Sequence, residues 1–386
     1  MPNDFDLAIV GGGLASARAI KSYREAGGGG SVALFSADTF VPYHRPPLSK
    51  RYLRGEQEWD AALVEPESFY AENDVKLFLE TVVTSVDTET RTIETERGDR
   101  HGFGRLLIAS GAVPRSLDVP GSTLGGVFVL RSLAESTRIR AAAVGADRAV
   151  VVGAGFIGTE VAASLVQLGV DVTLVHRGQG LFDQLGVPEL ARELADLYRE
   201  QGVELVLEDE AVAFHGASTL ESVETKGGRT LEAQMAVVGV GVAPATGFLE
   251  GSGLELDNGV VVDQRFRTNV EGVYAAGDVA RFFDPLFGTH RRIEHWSNAN
   301  YQGTEVGKVL AGGGGGYDIV SSFFSEVFGV TIKVFGDTTA SDRVETTGSL
   351  ADGLVARFSS GDRLVGALVV GQEEETENTL KAEIAG

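Results

Sequence analysis

The chain has 386 residues, 43% hydrophobic and 23% charged, as suits a soluble globular protein of two or three domains. A formal net charge of −22 argues against nucleic acid and anionic membrane partners, although such a charge also serves solubility alone. The cysteine count is zero, which excludes disulfides, thiolate metal sites, cysteine nucleophiles and any redox-active cysteine pair.

Redox chemistry in such a chain must therefore be carried by a bound cofactor. No apolar run approaches the ~18 residues of a membrane span. Met1-Pro2-Asn3-Asp4 lacks the basic and apolar regions of a signal peptide, so a cytoplasmic location is the default expectation.

In chain order, an apolar strand from Leu7 to Val10 enters the turn Gly11-Gly12-Gly13. A helix to about Ala26 and a strand from Ser31 to Phe35 follow. This is the βαβ start of a parallel, doubly wound sheet. Gly11 and Gly13 fit a dinucleotide fingerprint whose third position is Ser16, small enough for the helix to pack on the strand. Asp38, just beyond the second strand, is placed either to hold a ribose hydroxyl or to serve as a turn aspartate. Gly27 to Gly30 punctuates the unit.

The pattern returns at Ala149 to Val152, with the turn Gly153-Ala154-Gly155, a helix to about Leu168 and a strand from Val170 to Val175. Here Gly153-x-Gly155-x-x-Gly158 is complete. Glycines permit the tight turn and bring backbone to a pyrophosphate, and the helix start offers free N–H groups to its charge. Where NAD sites place an acid at the strand end, this chain has His176-Arg177. An arginine there suits a 2′-phosphate and so NADPH, unless it points to solvent and NADH is used.

The run from Thr268 to Asp278 ends a strand in Gly277-Asp278. A carboxylate there accepts a hydrogen bond from a ribityl hydroxyl, and returning after both βαβ units it points to flavin plus nicotinamide. Gly312 to Gly316 reads as a linker before a small α+β tail with strands at Val330 to Phe335 and Arg363 to Val370. Glu373-Glu374-Glu375 reads as a solvated face.

Together these residues resemble pyridine-nucleotide-dependent flavoprotein reductases of the two-dinucleotide-domain type. Further segments resemble the ferredoxin/rubredoxin reductase branch, which includes oxygenase-coupled reductases and apoptosis-inducing-factor relatives. They are Pro42-Tyr43-His44-Arg45-Pro46-Pro47-Leu48-Ser49-Lys50, Leu106-Leu107-Ile108-Ala109-Ser110-Gly111, Glu294-His295-Trp296-Ser297-Asn298-Ala299 and Phe323-Phe324-Ser325-Glu326. Ser110 stands for the usual threonine, and Phe324 and Glu326 for a tryptophan and an aspartate. The resemblance covers essentially the whole chain.

The resemblance implies two Rossmann-like domains and a small α+β C-terminal domain. It places FAD in residues 1–115 and 240–315, NAD(P) in 116–239 and the C-terminal domain in 316–386. It implies FAD contacts at Leu14, Ala15, Val82, Ser110 and Gly111, with Glu294 and His295 along the isoalloxazine. It also implies cofactor contacts at Arg131, Phe156, Ile157 and Gly241. Lys50 and Glu160 are expected at the reacting face, paired and placing positive charge near flavin N5, or as a plain ion pair. Arg45 reaches phosphate, flavin or solvent. Trp296 lies on the ring or in the core. His44, His290 and His295 show no metal-ligand spacing.

The implied activity is hydride transfer from NAD(P)H to FAD, then single electrons to a ferredoxin that feeds a cytochrome P450 or Rieske oxygenase. Such a partner would need a local basic patch, for which Arg291, Arg292, Lys333 and Arg343 are candidates. Direct reduction of a small acceptor, as by monodehydroascorbate reductases, is one alternative. A binding or signalling flavoprotein like apoptosis-inducing factor is another. The oligomer is open between monomer and homodimer.

Overall fold

A computed structural model describes residues 4–386; Met1, Pro2 and Asn3 of the N-terminal reading lie outside the described residues. The chain divides into two compact units. Among the described residues, the first comprises 4–44, 60–113 and 243–319, and the second 45–59, 114–242 and 320–386.

The first unit is built on a sheet in which Val75–Phe78, Val32–Phe35, Phe5–Val10 and Arg100–Ile108 pair in parallel in that order. The strand Val273–Ala275 adds in parallel to the end of Arg100–Ile108. The four strand residues Val32, Ala33, Leu34 and Phe35 are all buried, as expected of a strand covered on both faces. The helix Leu14–Glu25 crosses Trp296–Leu310 closely, because a side chain on Gly303 would meet the Ala15 carbonyl and one on Gly307 the Ala19 carbonyl.

In the second unit, Glu204–Leu207, Asp171–His176, Arg148–Val152, Met235–Val238 and Val127–Val129 form a parallel sheet in that order. The same unit holds an antiparallel sheet ordered Ser322–Val327, Val330–Gly336, Arg363–Val370, Leu354–Ser360 and Arg343–Thr347, followed by the helix Glu374–Ala385. The glutamates before and at the start of this helix are exposed, and acids there suit the positive end of its dipole.

The segment 45–59 lies in the second unit, whereas the sequence reading carried it within residues 1–115. Hydrogen bonds give the reason: the Ser136 hydroxyl donates to the Leu48 carbonyl at 2.7 Å, and the Ser164 hydroxyl to that of Ser49 at 2.6 Å. These contacts are to side chains far along the chain, so no local pattern announces them.

Candidate functional site

In each parallel sheet a glycine turn follows the carboxyl end of an interior strand, the usual place for a nucleotide in an open α/β sheet. In the first unit Gly11 has φ 117°, and a side chain there would overlap the Ala109 carbonyl. The Ser16 hydroxyl donates back to the Gly11 carbonyl, so the departure at the third fingerprint position closes the turn instead of opening it. Gly13 is the N-cap of Leu14–Glu25 and provides no side-chain acceptor, leaving the first N–H groups of the helix for a ligand.

The neighbouring strand ends bring the remaining first-unit residues to this edge. Ala109 N–H donates to the Val10 carbonyl at 2.8 Å, which sets Ser110 and Gly111 beside the turn. The Ser110 hydroxyl donates to the Ala245 carbonyl at 2.8 Å. Ala276 N–H donates to Ile108 at 3.0 Å, and Gly277 N–H to Gln302 Oε1 at 2.8 Å, so Gln302 holds the strand end that presents Asp278. Arg292 donates to the Asp278 carbonyl at 3.1 Å and pairs with Glu294, while its buried Nε has no partner among the described residues. A turn too tight for any side chain, an uncapped helix start and an unsatisfied buried donor fit a bound dinucleotide.

Asp38 is engaged locally, its carboxylate accepting from Tyr43 Oη at 2.6 Å. Ser36, not Asp38, lies against Gly12, where a side chain would overlap its hydroxyl. Val82 is 40% exposed. Trp296 is half-buried and its Nε1–H donates to His44 Nδ1 at 2.8 Å. Burial and the Arg18 charge hold His44 below the ordinary histidine range, as befits an accepting neutral ring.

Burial pushes His295 down to about 4. A histidine kept neutral by the fold contributes stability that is complete above its unfolded value of 6.5 and is lost as pH falls from there toward 4. Urea midpoints are therefore expected to drop between pH 7 and pH 4. His295 supplies on the order of 2 kcal/mol of that fall, discounted for partial exposure. His295→Gln should flatten that part of the profile, and an unchanged slope would contradict the assignment.

In the second unit Gly153 has φ 105°, and a side chain would overlap the Gly239 carbonyl. One on Gly158 would overlap the Gly153 carbonyl. Gly155 differs: a side chain there would meet nothing nearer than Gln184 Nε2 at 3.7 Å, so the turn has open space where a pyrophosphate belongs. Phe156–Gln167 starts at Gly155 without a side-chain cap, and Ile157 is 37% exposed at its first turn.

Glu160 follows on this helix, only 6% exposed, and its carboxylate is fully engaged. Lys50 Nζ lies 2.6 Å from Oε2, the Ser49 hydroxyl donates to Oε2 at 2.5 Å, and the Ser325 hydroxyl donates to Oε1 at 2.7 Å. Pro46 and Pro47 open the short turn Pro46–Ser49, which fixes the backbone just before Lys50. Ser49 and Ser325 were part of the motif segments but carried no role in the sequence reading. Their hydroxyls face one buried carboxylate through folding, and a small polar residue in an apolar run is the only local sign.

Arg45 Nε donates to the Arg131 carbonyl at 3.3 Å, placing both arginines in one cluster. Gly241 accepts from Arg115 N–H at 2.9 Å. Arg177 is exposed at the end of Asp171–His176 and makes no ion pair among the described residues.

The basic patch needs correction, because its members are not unopposed cations. Arg291 pairs with buried Asp284 at 2.8 Å, Arg292 with Glu294, Lys333 with Glu377 at 2.5 Å and Arg343 with Glu345 at 3.8 Å. With 55 acidic residues against 33 basic ones, cations are readily captured within the chain.

Two parallel sheets, each with a glycine turn at the carboxyl end of an interior strand, define an α/β protein of the two-dinucleotide-domain class. The chain belongs to the family described as pyridine nucleotide-disulphide oxidoreductase, whose profile matches residues 5–303. Over 348 residues, 89% of this chain and 84% of the relative, it is 35% identical to the ferredoxin reductase subunit of 5,5'-dehydrodivanillate O-demethylase from Sphingobium sp. (strain SYK-6). It is 32% identical over 364 residues to the ferredoxin–NAD(+) reductase subunit of the benzene 1,2-dioxygenase system of Pseudomonas putida, covering 94% of this chain and 88% of that one. Its fold matches the crystal structure of a covalent putidaredoxin reductase–putidaredoxin complex with a TM-score of 0.94 and 28% identity, over 99% of this chain and 93% of that one. The family description names a disulphide; this chain has no cysteine with which to form one. No helix among the described residues is long and apolar enough to cross a membrane.

Proposed function

We propose that the chain is an NAD(P)H:ferredoxin reductase that delivers electrons through FAD to a small iron–sulfur protein serving a P450 or Rieske oxygenase. The observation that carries this is two glycine-turn nucleotide frames in a chain of this family that has no cysteine. Without a redox disulfide, electrons must pass directly to an external acceptor. Relatives that align with this chain over most of their length are named as ferredoxin reductase components of oxygenase systems.

Residues 1–115 and 240–315 are assigned to FAD, 116–239 to the nicotinamide dinucleotide and 316–386 to the C-terminal domain. The flavin supplies the step from a two-electron donor to one-electron release. Gly11, Gly13, Leu14 and Ala15 bind one pyrophosphate by backbone, and Asp278 orients the ribityl chain. Gly153, Gly155, Phe156, Ile157 and Gly158 bind the other. Glu160, held by Ser49, Lys50 and Ser325, positions the nicotinamide, and Lys50 keeps positive charge at the reacting face. Trp296 and His295 line the flavin side. The test is anaerobic reduction of the flavin-loaded protein by NADH and NADPH, followed by turnover with ferredoxins.

A further inference from the structure

We propose that Asp183 governs the choice between the two nicotinamide coenzymes, by setting a carboxylate where the 2′ substituent of the adenosine ribose arrives. The inference rests on the assignment of the second glycine turn to a nicotinamide dinucleotide.

In a βαβ unit of this kind the residue at the end of the second strand meets the ribose 2′ position. Here that residue is His176, the last of Asp171–His176. Ala154 N–H, inside the glycine turn, donates to His176 Nδ1 at 3.3 Å. With Nδ1 accepting, the network assigns the ring N–H to Nε2, which faces Asp183 Oδ2 at 3.0 Å. The imidazole thus links the phosphate-binding turn to a carboxylate.

Asp183 does not come from the strand. It opens the short turn Asp183–Leu185 after Phe182, a non-glycine residue in the left-handed region at φ 53°. Such a conformation persists only where its surroundings hold it. Phe182 is buried, and its N–H donates to the Ala154 carbonyl at 3.0 Å, so the loop is fastened to the same turn residue whose N–H holds His176. Gly178 leaves the room: a side chain there would overlap the Asp183 carboxylate and lie 2.6 Å from His176 Nε2. Gln184, next in the loop, is the nearest group to the open space at Gly155.

A ribose 2′-hydroxyl can donate to this carboxylate. A 2′-phosphate brings negative charge against it, and the neighbouring Arg177 only partly offsets the repulsion. An acid therefore occupies the strand end by way of the following loop, and NADH is favoured over NADPH although His176-Arg177 stands where an acid is usual.

Calorimetric binding of NAD+ and NADP+ to the flavin-loaded protein, beside kcat/KM for NADH and NADPH, tests this. Asp183→Asn should tighten NADP+ about tenfold, the effect of one partly screened charge, and leave NAD+ within about threefold. Gly178→Ala, whose backbone does not require glycine, should move the same ratio in the same direction by displacing the carboxylate. Thermal melts confirm that each variant folds. If both nucleotides bind and neither variant changes their ratio, the role of Asp183 is overturned alone. If neither nucleotide binds any form, the nicotinamide assignment falls and this inference with it.

Discussion

Replacing Lys50 with methionine is expected to cost about 3–5 kcal/mol of stability, the usual penalty for removing one partner of a buried ion pair. Glu160 is 6% exposed and Lys50 14%, so the carboxylate left behind has little water to solvate it. Ser49 and Ser325 would still donate to it, which keeps the variant foldable but leaves the negative charge unbalanced. For a chain of this size the melting temperature should fall by roughly 5 °C. The double variant Lys50→Met/Glu160→Gln should recover much of that loss, because the two residues are directly coupled. Flavin reduction by NAD(P)H should slow on the order of a hundredfold in both, since each lacks the positive charge at the reacting face. A melting temperature unchanged in the single variant would show that the pair is not buried in solution.

The second large effect is expected at Gly158. A side chain there overlaps the Gly153 carbonyl, so Gly158→Val must push Phe156–Gln167 off its strand and move the helix start away from the pyrophosphate. A displacement of about 1 Å at such a point costs on the order of a hundredfold, and the KM for NAD(P)H should rise accordingly. Flavin content should remain as in the wild type, because Gly158 belongs to the second unit, whereas Gly11, Gly13 and Asp278, assigned to FAD, belong to the first. Loss of flavin together with nucleotide affinity would contradict the separate assignment of the two turns. Absorbance at the flavin bands and equilibrium dialysis with NADP+ read the two quantities independently.

The glycine turns were legible because their residues are adjacent in sequence and steric demand leaves few alternatives at Gly11 and Gly153. The strands beside them were legible because buried parallel strands read as apolar runs. The expected Lys50–Glu160 pairing is present at 2.6 Å, anticipated through resemblance and not through spacing, since 110 residues separate the partners. Other features were hidden for physical reasons. Asp183 reaches the strand end only because Phe182 is left-handed and Gly178 has no side chain. Gln302 holds Gly277 from the helix Trp296–Leu310, 25 residues further along the chain. Of the four cations offered as a docking patch, Arg291 and Arg292 are largely buried, and the fold pairs each of the four with a carboxylate. Asp38, read after the strand either as a ribose partner or as a turn aspartate, accepts from Tyr43, whose hydroxyl reaches back five residues.

The most direct measurement of the central claim is an anaerobic titration of the flavin-loaded protein with NADH and NADPH, followed by addition of an oxidised ferredoxin. Stoichiometric bleaching of the flavin band by at least one nucleotide, then its return as the iron–sulfur protein is reduced, is the predicted result. A flavin that neither nucleotide bleaches, or one that is bleached and passes no electrons to any ferredoxin, would contradict it.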